Sequence, residues 1–384
     1  MTRDKTEDWD PRSADILDDP ISAYDTMRHK YAVAWSDYQQ WSVFRHADAM
    51  RLLTEPETFS NNVSDRVSVP NGMDAPKHQR YRELIEPYFS ANRVEAFRPV
   101  CQTIAEKTVG AIDAGEPFEA MSVLAEEYAL RVQCAFMGWP DRYREILRQW
   151  LHKQQAATLA GDRTALKAIA SEFDGYIHEL IDERVRLGQK APNDNTTALM
   201  NERVDGRPLS HEELVSLLRN WTVGEVGTIS ASVGILLNYL ARYIDLQAHL
   251  RNNPQELSAA IDEILRIDAP LMSNRRRTTC PVHLGGRDLD AGERLTLLWA
   301  SVNRDERVFG DPDRFDPVKN APNNLLYGAG PHVCPGAPLA RMELTVFMSA
   351  VLTETQSIEL ATGQAAVRAH YPSGGFAELP IVWR

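Results

Sequence analysis

Cysteine is scarce in this chain: four in 384 residues, at Cys101, Cys134, Cys280 and Cys334. No short spacing links them, which excludes a disulfide framework and a CxxC metal or redox motif and fits a reducing cytoplasm. Long apolar runs are missing too, so no stretch reads as a membrane span. The start, Met1-Thr-Arg-Asp-Lys-Thr-Glu-Asp, is polar throughout and does not read as a signal peptide. Positive charge is in deficit. With 42 Lys and Arg against 54 Asp and Glu the net charge is −12, which argues against a general affinity for nucleic acid or an anionic membrane. Gly/Ser or Pro-rich linkers are absent, so a length that would allow two or three domains reads as one domain over residues 1–384. Neither a Rossmann fingerprint nor an iron–sulfur cluster motif is present.

What is present is concentrated in one stretch, Tyr327-Gly-Ala-Gly330-Pro-His332-Val-Cys334-Pro-Gly336-Ala-Pro-Leu339-Ala340-Arg341. It sets a single cysteine in a loop of small residues and then opens an apolar helix from about Pro338 to Met348. Glycines at 328, 330 and 336 let backbone approach a flat ligand closely and turn through conformations closed to other residues. A cysteine near a helix N-terminus meets the positive end of the helix dipole, which favours thiolate. One thiolate without a partner is a poor zinc site, but it is the single axial ligand that haem iron needs. The other three cysteines read as ordinary buried residues.

These residues resemble the cysteine loop of the cytochrome P450 family, the haem-thiolate monooxygenases, whose pattern is F-x-x-G-x-H/R-x-C-x-G followed by x-x-L-A-R in bacterial members. The chain departs from that pattern only at Tyr327, an aromatic in place of Phe. The resemblance implies haem b on Cys334, in the soluble bacterial type of the family.

Taken from its start, the chain reads as a short helix after Asp19-Pro20, then strands at Val33–Trp35 and Trp41–Phe44 around a polar turn. Residues 61–71 form a polar loop which, by resemblance, touches substrate. Pro76 suits a helix start, and His78 and Arg82 fall four apart on one face of that helix. The family's His-x-x-x-Arg falls here and reaches a haem propionate. From 92 to about 203 the signal is helical, including Phe118–Met121, and carries no chemistry.

The helix beginning at Ser210 is the most informative element, because Ser210-His-Glu-Glu213 is a capping box. Leu214, Leu217, Leu218, Trp221, Ile235, Leu236 and Tyr239 form its apolar stripe, and Glu225, Thr228 and Ser232 fall inside it. Buried polar groups need hydrogen bonds or a function. Gly224 and Gly227 each cost about 1 kcal/mol relative to Ala in a helix. The family keeps a small-Gly-x-acid-Thr segment here, its Thr helping proton delivery on the oxygen-binding side. Alignment places that Thr at Thr228 and a small residue at Gly224. Two departures follow: Gly227 stands where the acid belongs, and Glu225 where glycine belongs. Glu225, one turn before Thr228, is expected to relay protons or to meet a polar group of the substrate; a structural network is the alternative.

Farther on, Glu263 and Arg266 match the family's structural Glu-x-x-Arg pair, with Asn324 in the place often held by a His partner and Lys319 replacing an Arg nearby. Arg276, one of three consecutive arginines, takes the place of a second propionate ligand, and His332 a third. The resemblance thus implies a mainly α fold with a small β region, at about 31–45, 275–300 and 379–384, and haem between the long distal helix and the cysteine-loop helix. It implies Thr228 and Glu225 as catalytic groups, and His78, Arg82, Arg276, His332 and Cys334 as cofactor ligands. Val67, Val69, Leu271, Met272, Asn274 and Phe376 are the expected substrate contacts. The expected partners are dioxygen, a small organic substrate, and a ferredoxin or flavodoxin-type donor with its NAD(P)H-dependent reductase. Two rival readings are a peroxide-driven oxygenase, which the absent acid at 227 favours, and a non-catalytic haem sensor or carrier.

Overall fold

Five short strands form the largest sheet: β1 (Val33–Ser36), β2 (Gln40–Val43), β3 (Phe59–Ser60), β4 (Ser273–Thr278) and β5 (Arg294–Leu298), in the order β1-β2-β5-β4-β3. The computed structural model describes residues 6–384; Met1–Lys5, on which much of the polar-start reading falls, lie outside the described residues. Gln40, at a φ of 61°, turns the chain between β1 and β2 and brings Trp35 opposite Trp41. Their rings meet edge to face at 5.2 Å, the geometry favoured by the aromatic quadrupole. The sheet has its own core, in which Trp9, Tyr24, Phe44, Leu295 and Leu297 are buried together. Pleating decides among the three arginines of β4. Side chains alternate along a strand, so Arg276 turns inward, 5% exposed, while Arg275 and Arg277 face out.

Seven helices position the site: α1 (Lys77–Ile85), α2 (Ala91–Val109), α3 (Glu127–Met137), α4 (Arg163–Leu187), α5 (His211–Arg242), α6 (Leu257–Ile267) and α7 (Ala337–Glu354). Helix α5 runs for 32 residues from the capping box, with both of its reciprocal Ser210 and Glu213 hydrogen bonds formed. It is long and apolar enough to cross a membrane, which corrects the expectation drawn from runs of residues; 67% of its most apolar window is buried inside the protein. Its apolarity is that of a core helix. It packs on α3, α6 and α7, and α7 packs on α2.

Two further expectations are corrected. Phe118 and Glu119 form a strand, with Phe118 opposite Ile381 of the strand Pro380–Trp383, and Met121–Glu126 then makes a wide helical turn. Pairing with the end of the chain overrides the local helical pattern. Cys280 is exposed, whereas Cys101 and Cys134 are buried as expected.

Candidate active site

Cys334 is held by a loop whose shape only glycine permits. Gly330 adopts a φ of 68°, and a Cβ added there would stand 2.1 Å from the carbonyl oxygen of Leu53. The Cys334 amide donates to the carbonyl of Tyr327 at 2.9 Å, and α7 starts three residues on. Cys334 as a residue keeps accessible surface. Protein crowded around the sulfur pushes the thiol pKa up, with backbone amides of Gly336 and Ala337 pulling it the other way. The thiolate expected from the helix N-terminus is therefore not what the chain alone favours. A coordinated cation reverses the balance, because a ligating thiol is deprotonated outright.

Beside this loop the structure gathers the four basic groups singled out in the sequence. The rings of His78 and His332 lie 3.9 Å apart between centroids, tilted by 37°. Arg82 donates to the carbonyl of Val333 at 2.6 Å and pairs with Glu86 at 2.9 Å. Arg276 donates only to the carbonyl of Arg275, at 2.8 Å, and has no ion pair among the described residues. Burial, with Asp74 opposing it, lowers the Arg276 pKa to about 10. That of His332 is pushed down to about 3, by burial first and then by His78, Arg276 and Arg82. The Nε2 of His78 is buried without a hydrogen-bond partner. A buried guanidinium without a counter-ion and a buried imidazole nitrogen without a partner are costly unless an anionic acceptor completes them. Two carboxylates on the edge of a flat macrocycle would do so, and in that respect these residues fit haem.

Helix α5 presents an open face in the middle of an otherwise packed length. Val223, Gly224 and Gly227 are exposed and Thr228 partly so, while Thr222, Val226 and Ile229 are buried. Nothing lies within 4 Å of the Cβ that Gly224 or Gly227 would carry. Neither glycine is forced by packing within the chain; each leaves room for something else. The Thr228 hydroxyl donates to the carbonyl of Gly224, and Ser232 donates to that of Thr228 at 2.7 Å.

Glu225 parts company with Thr228. Its carboxyl lies within hydrogen-bonding reach of Glu343 on α7, and its Oε1 is buried with no partner. Glu343 was missed by sequence reasoning, although a lone acid in the apolar run Leu339–Val351 was a legible signal.

The expected substrate contacts scatter. Val67 lines an opening of about 430 Å³ between α4, α5 and its own loop. Val69, 0% exposed, is packed in the main core, and Met272, 3% exposed, in the core of the sheet, so neither offers surface to a ligand. Leu271 bridges to Ser373. Asn274 is exposed on β4. Phe376 is buried, its ring close to Gly234 of α5.

Glu263 and Arg266 form a buried bidentate pair at 2.8 and 2.9 Å. Glu263 also accepts from Asn320 at 2.7 Å and from the Asp316 amide at 3.0 Å, while Arg266 donates to the carbonyl of Asn303 at 2.8 Å. Asn324 instead donates to the carbonyl of Asp262 at 2.9 Å. Asn320 is the side-chain partner that the sequence reading assigned to Asn324.

Comparison with known proteins agrees with this geometry. The family model described as Cytochrome P450 matches residues 144–358. The chain is 31% identical over 337 residues to the Cyclomarin C epoxidase CymV of Salinispora arenicola, covering 83% of this chain and 84% of that protein. It is 31% identical over 371 residues to the Nocardicin C N-oxygenase of Nocardia uniformis subsp. tsuyamanensis, covering 89% of each. The crystal structure of CYP108D1 from Novosphingobium aromaticivorans superposes with a TM-score of 0.82 at 27% identity, over 95% of this chain and 94% of that one. An aromatic-flanked cysteine loop, a helix face opened by glycines and a basic cluster beside the loop are thus joined to sequence likeness along most of the length: the chain belongs to the cytochrome P450 family.

Proposed function

We propose that this protein, as a single domain, holds haem b between the open face of α5 and the Cys334 loop and inserts one oxygen atom into a small, largely hydrophobic organic substrate. Haem-dependent oxygen chemistry is the family's; the haem, when bound, supplies the reductive cleavage of dioxygen, with the second oxygen leaving as water. The observation that carries the reading is the placement of one accessible cysteine beside four basic side chains, of which His78 keeps an unpartnered buried nitrogen and Arg276 has no ion pair among the described residues. In it, Cys334 Sγ would hold the haem iron. His78, Arg82, Arg276 and His332 bind and orient the propionates. Thr228 holds a hydroxyl at the open face, fixed by its bond to Gly224. The names of the two curated relatives, an epoxidase and an N-oxygenase, support oxygen insertion. Electrons come from a separate ferredoxin- or flavodoxin-type protein and its NAD(P)H-dependent reductase, a reading supported by the lack of a Rossmann or cluster motif in the chain. We place the protein in the cytoplasm, in keeping with four cysteines that share no disulfide.

A peroxide-driven reaction is favoured by one observation, the glycine at 227 where the family carries an acid. Turnover with hydrogen peroxide but none with ferredoxin, reductase and NADH would select it. The primary reading is tested by reducing the haem-loaded protein under carbon monoxide. A strongly red-shifted absorbance band is expected, and its disappearance in Cys334→Ser. A band that survives that substitution overturns the ligand assignment.

A further inference from the structure

Where α5 packs on α7, two carboxyl groups meet with no cation among the described residues to balance them. Glu343 is 0% exposed, and neither of its oxygens has a hydrogen-bond partner. Glu225 approaches it from α5, its Oε1 likewise buried and unpartnered. The titratable groups that face the pair are Cys101 of α2, Tyr128 of α3, and Tyr327 and Cys334 of the cysteine loop. None of them is a cation. Arg98 of α2 acts on Cys101, but among the described residues no Arg, Lys or His acts on either carboxyl. Two carboxylates cannot both ionise in such a place. Burial pushes both pKa values up, that of Glu343 well above the usual range, where the neighbouring Glu225 adds to the shift. For the two carboxyl groups to hydrogen-bond, one must carry the proton.

We propose that Glu225 and Glu343 form a proton-loaded carboxyl pair that feeds the Thr228 side of α5, in place of the acid absent at Gly227. The inference rests on the haem placement proposed above. Glu225 and Thr228 are three residues apart, so their Cβ atoms stand roughly 5–6 Å from one another. One bridging water or a rotamer change of Glu225 spans that gap. The Thr228 hydroxyl already spends its hydrogen on Gly224, which leaves its oxygen lone pairs to accept. In the hand-off the O–H bond of a doubly protonated pair breaks at Glu225, a new O–H bond forms on the bridging water, which donates a hydrogen bond to Thr228, and that water passes one of its own protons to a basic acceptor at the open face. The remaining proton is shared by the two carboxyls as a single anion, the state two like charges favour, and a proton taken up from bulk solvent restores the second. No electron moves in the step. The family's acid has been moved from one side of the helix to the other, and Glu343 is what keeps it protonated there. The positions support each other: a Glu at 225 facing an apolar α7 would bury a carboxyl with no acceptor.

The test uses the full-length, haem-loaded protein that gives the carbon monoxide band. Infrared spectra at neutral pH are compared for wild type, Glu225→Gln and Glu343→Gln in H₂O and D₂O. A protonated-carboxyl absorption that shifts in D₂O is expected in wild type, and its loss or displacement in both variants. A second measurement follows the hand-off, by NADH-driven oxygen consumption with a surrogate ferredoxin and reductase. Glu225→Gln is expected to release at least 10-fold more of the consumed oxygen as hydrogen peroxide, with a larger solvent isotope effect. Gly227→Asp added to Glu225→Gln is expected to restore the wild-type fraction, since space at 227 is open. An absent infrared band, or Glu225→Gln with unchanged peroxide release and isotope effect, overturns the inference while the carbon monoxide band keeps the haem assignment. Loss of that band in wild type overturns both.

Discussion

Two buried glutamates on facing elements of this protein meet opposite circumstances. Glu263 has a bidentate arginine, an asparagine amide and a backbone amide around its carboxylate. Glu343 has none of these among the described residues, and the group that acts on its carboxyl is another acid. Both sites are essentially closed to solvent, at 1% and 0% exposure. Burial is thus common to both, and it is the partner that decides what a carboxyl group becomes. Four donors around Glu263 make an anion that ties α6 to the segment before the cysteine loop. No donor around Glu343 makes a neutral acid that can give a proton away. The first is a fastening; the second is chemistry in reserve.

The contrast breaks most severely at Arg266. Arg266→Ala leaves the Glu263 carboxylate buried and unpaired, a loss of about 3–5 kcal/mol, and we expect little folded, haem-loaded protein; urea denaturation of whatever is recovered measures it. A stability within about 1 kcal/mol of wild type would show that the pair is not a fastening. Asn320→Ala removes one charged hydrogen bond from the same cluster and is expected to cost about 1.5–3 kcal/mol in the same measurement. The other site is probed by pH. Burial raises both carboxyls of the Glu225 and Glu343 pair above their unfolded range, so the folded chain binds more protons than the unfolded chain once pH passes about 4.3. Stability therefore falls as pH rises from there toward the folded values, by up to about 1.4 kcal/mol per pH unit for each group. Glu343→Gln is expected to flatten that slope, measured as urea midpoints between pH 5 and 8. The smallest effect is assigned to Asn324→Ala, about 0.5–1.5 kcal/mol, because its partner is a neutral backbone carbonyl. A cost above that of Asn320→Ala would return Asn324 to the place the sequence reading gave it.

Much of this was legible in the chain. The cysteine loop announced itself through its glycines. One of them, Gly330, is impossible to replace because backbone from Leu53 passes where a Cβ would stand. The capping box at Ser210 fixed where the long helix begins, since it depends on contacts within four residues. His78 and Arg82 were found together for the same reason. The misreadings share a cause as well. Phe118 and Glu119 looked helical and became a strand because their partner lies at the far end of the chain. Asn320 and Asn324 differ by one helical turn, and only the packing of α6 against that segment chose between them. Arg276 could not be told from its neighbours until β4 paired with β5 and the pleat turned one arginine inward.

Local chemistry therefore settled the family, the cysteine loop, the cap of the central helix and the presence of an unusual acid at 225, because each is written in residues close together in the chain. Which way that acid points, and that another acid waits for it 118 positions later in the sequence numbering, at Glu343, was decided by the packing of α5 on α7. The physical reason is that a side chain's charge depends on what surrounds it in space, and the walls of a buried site come from segments that the sequence keeps far apart.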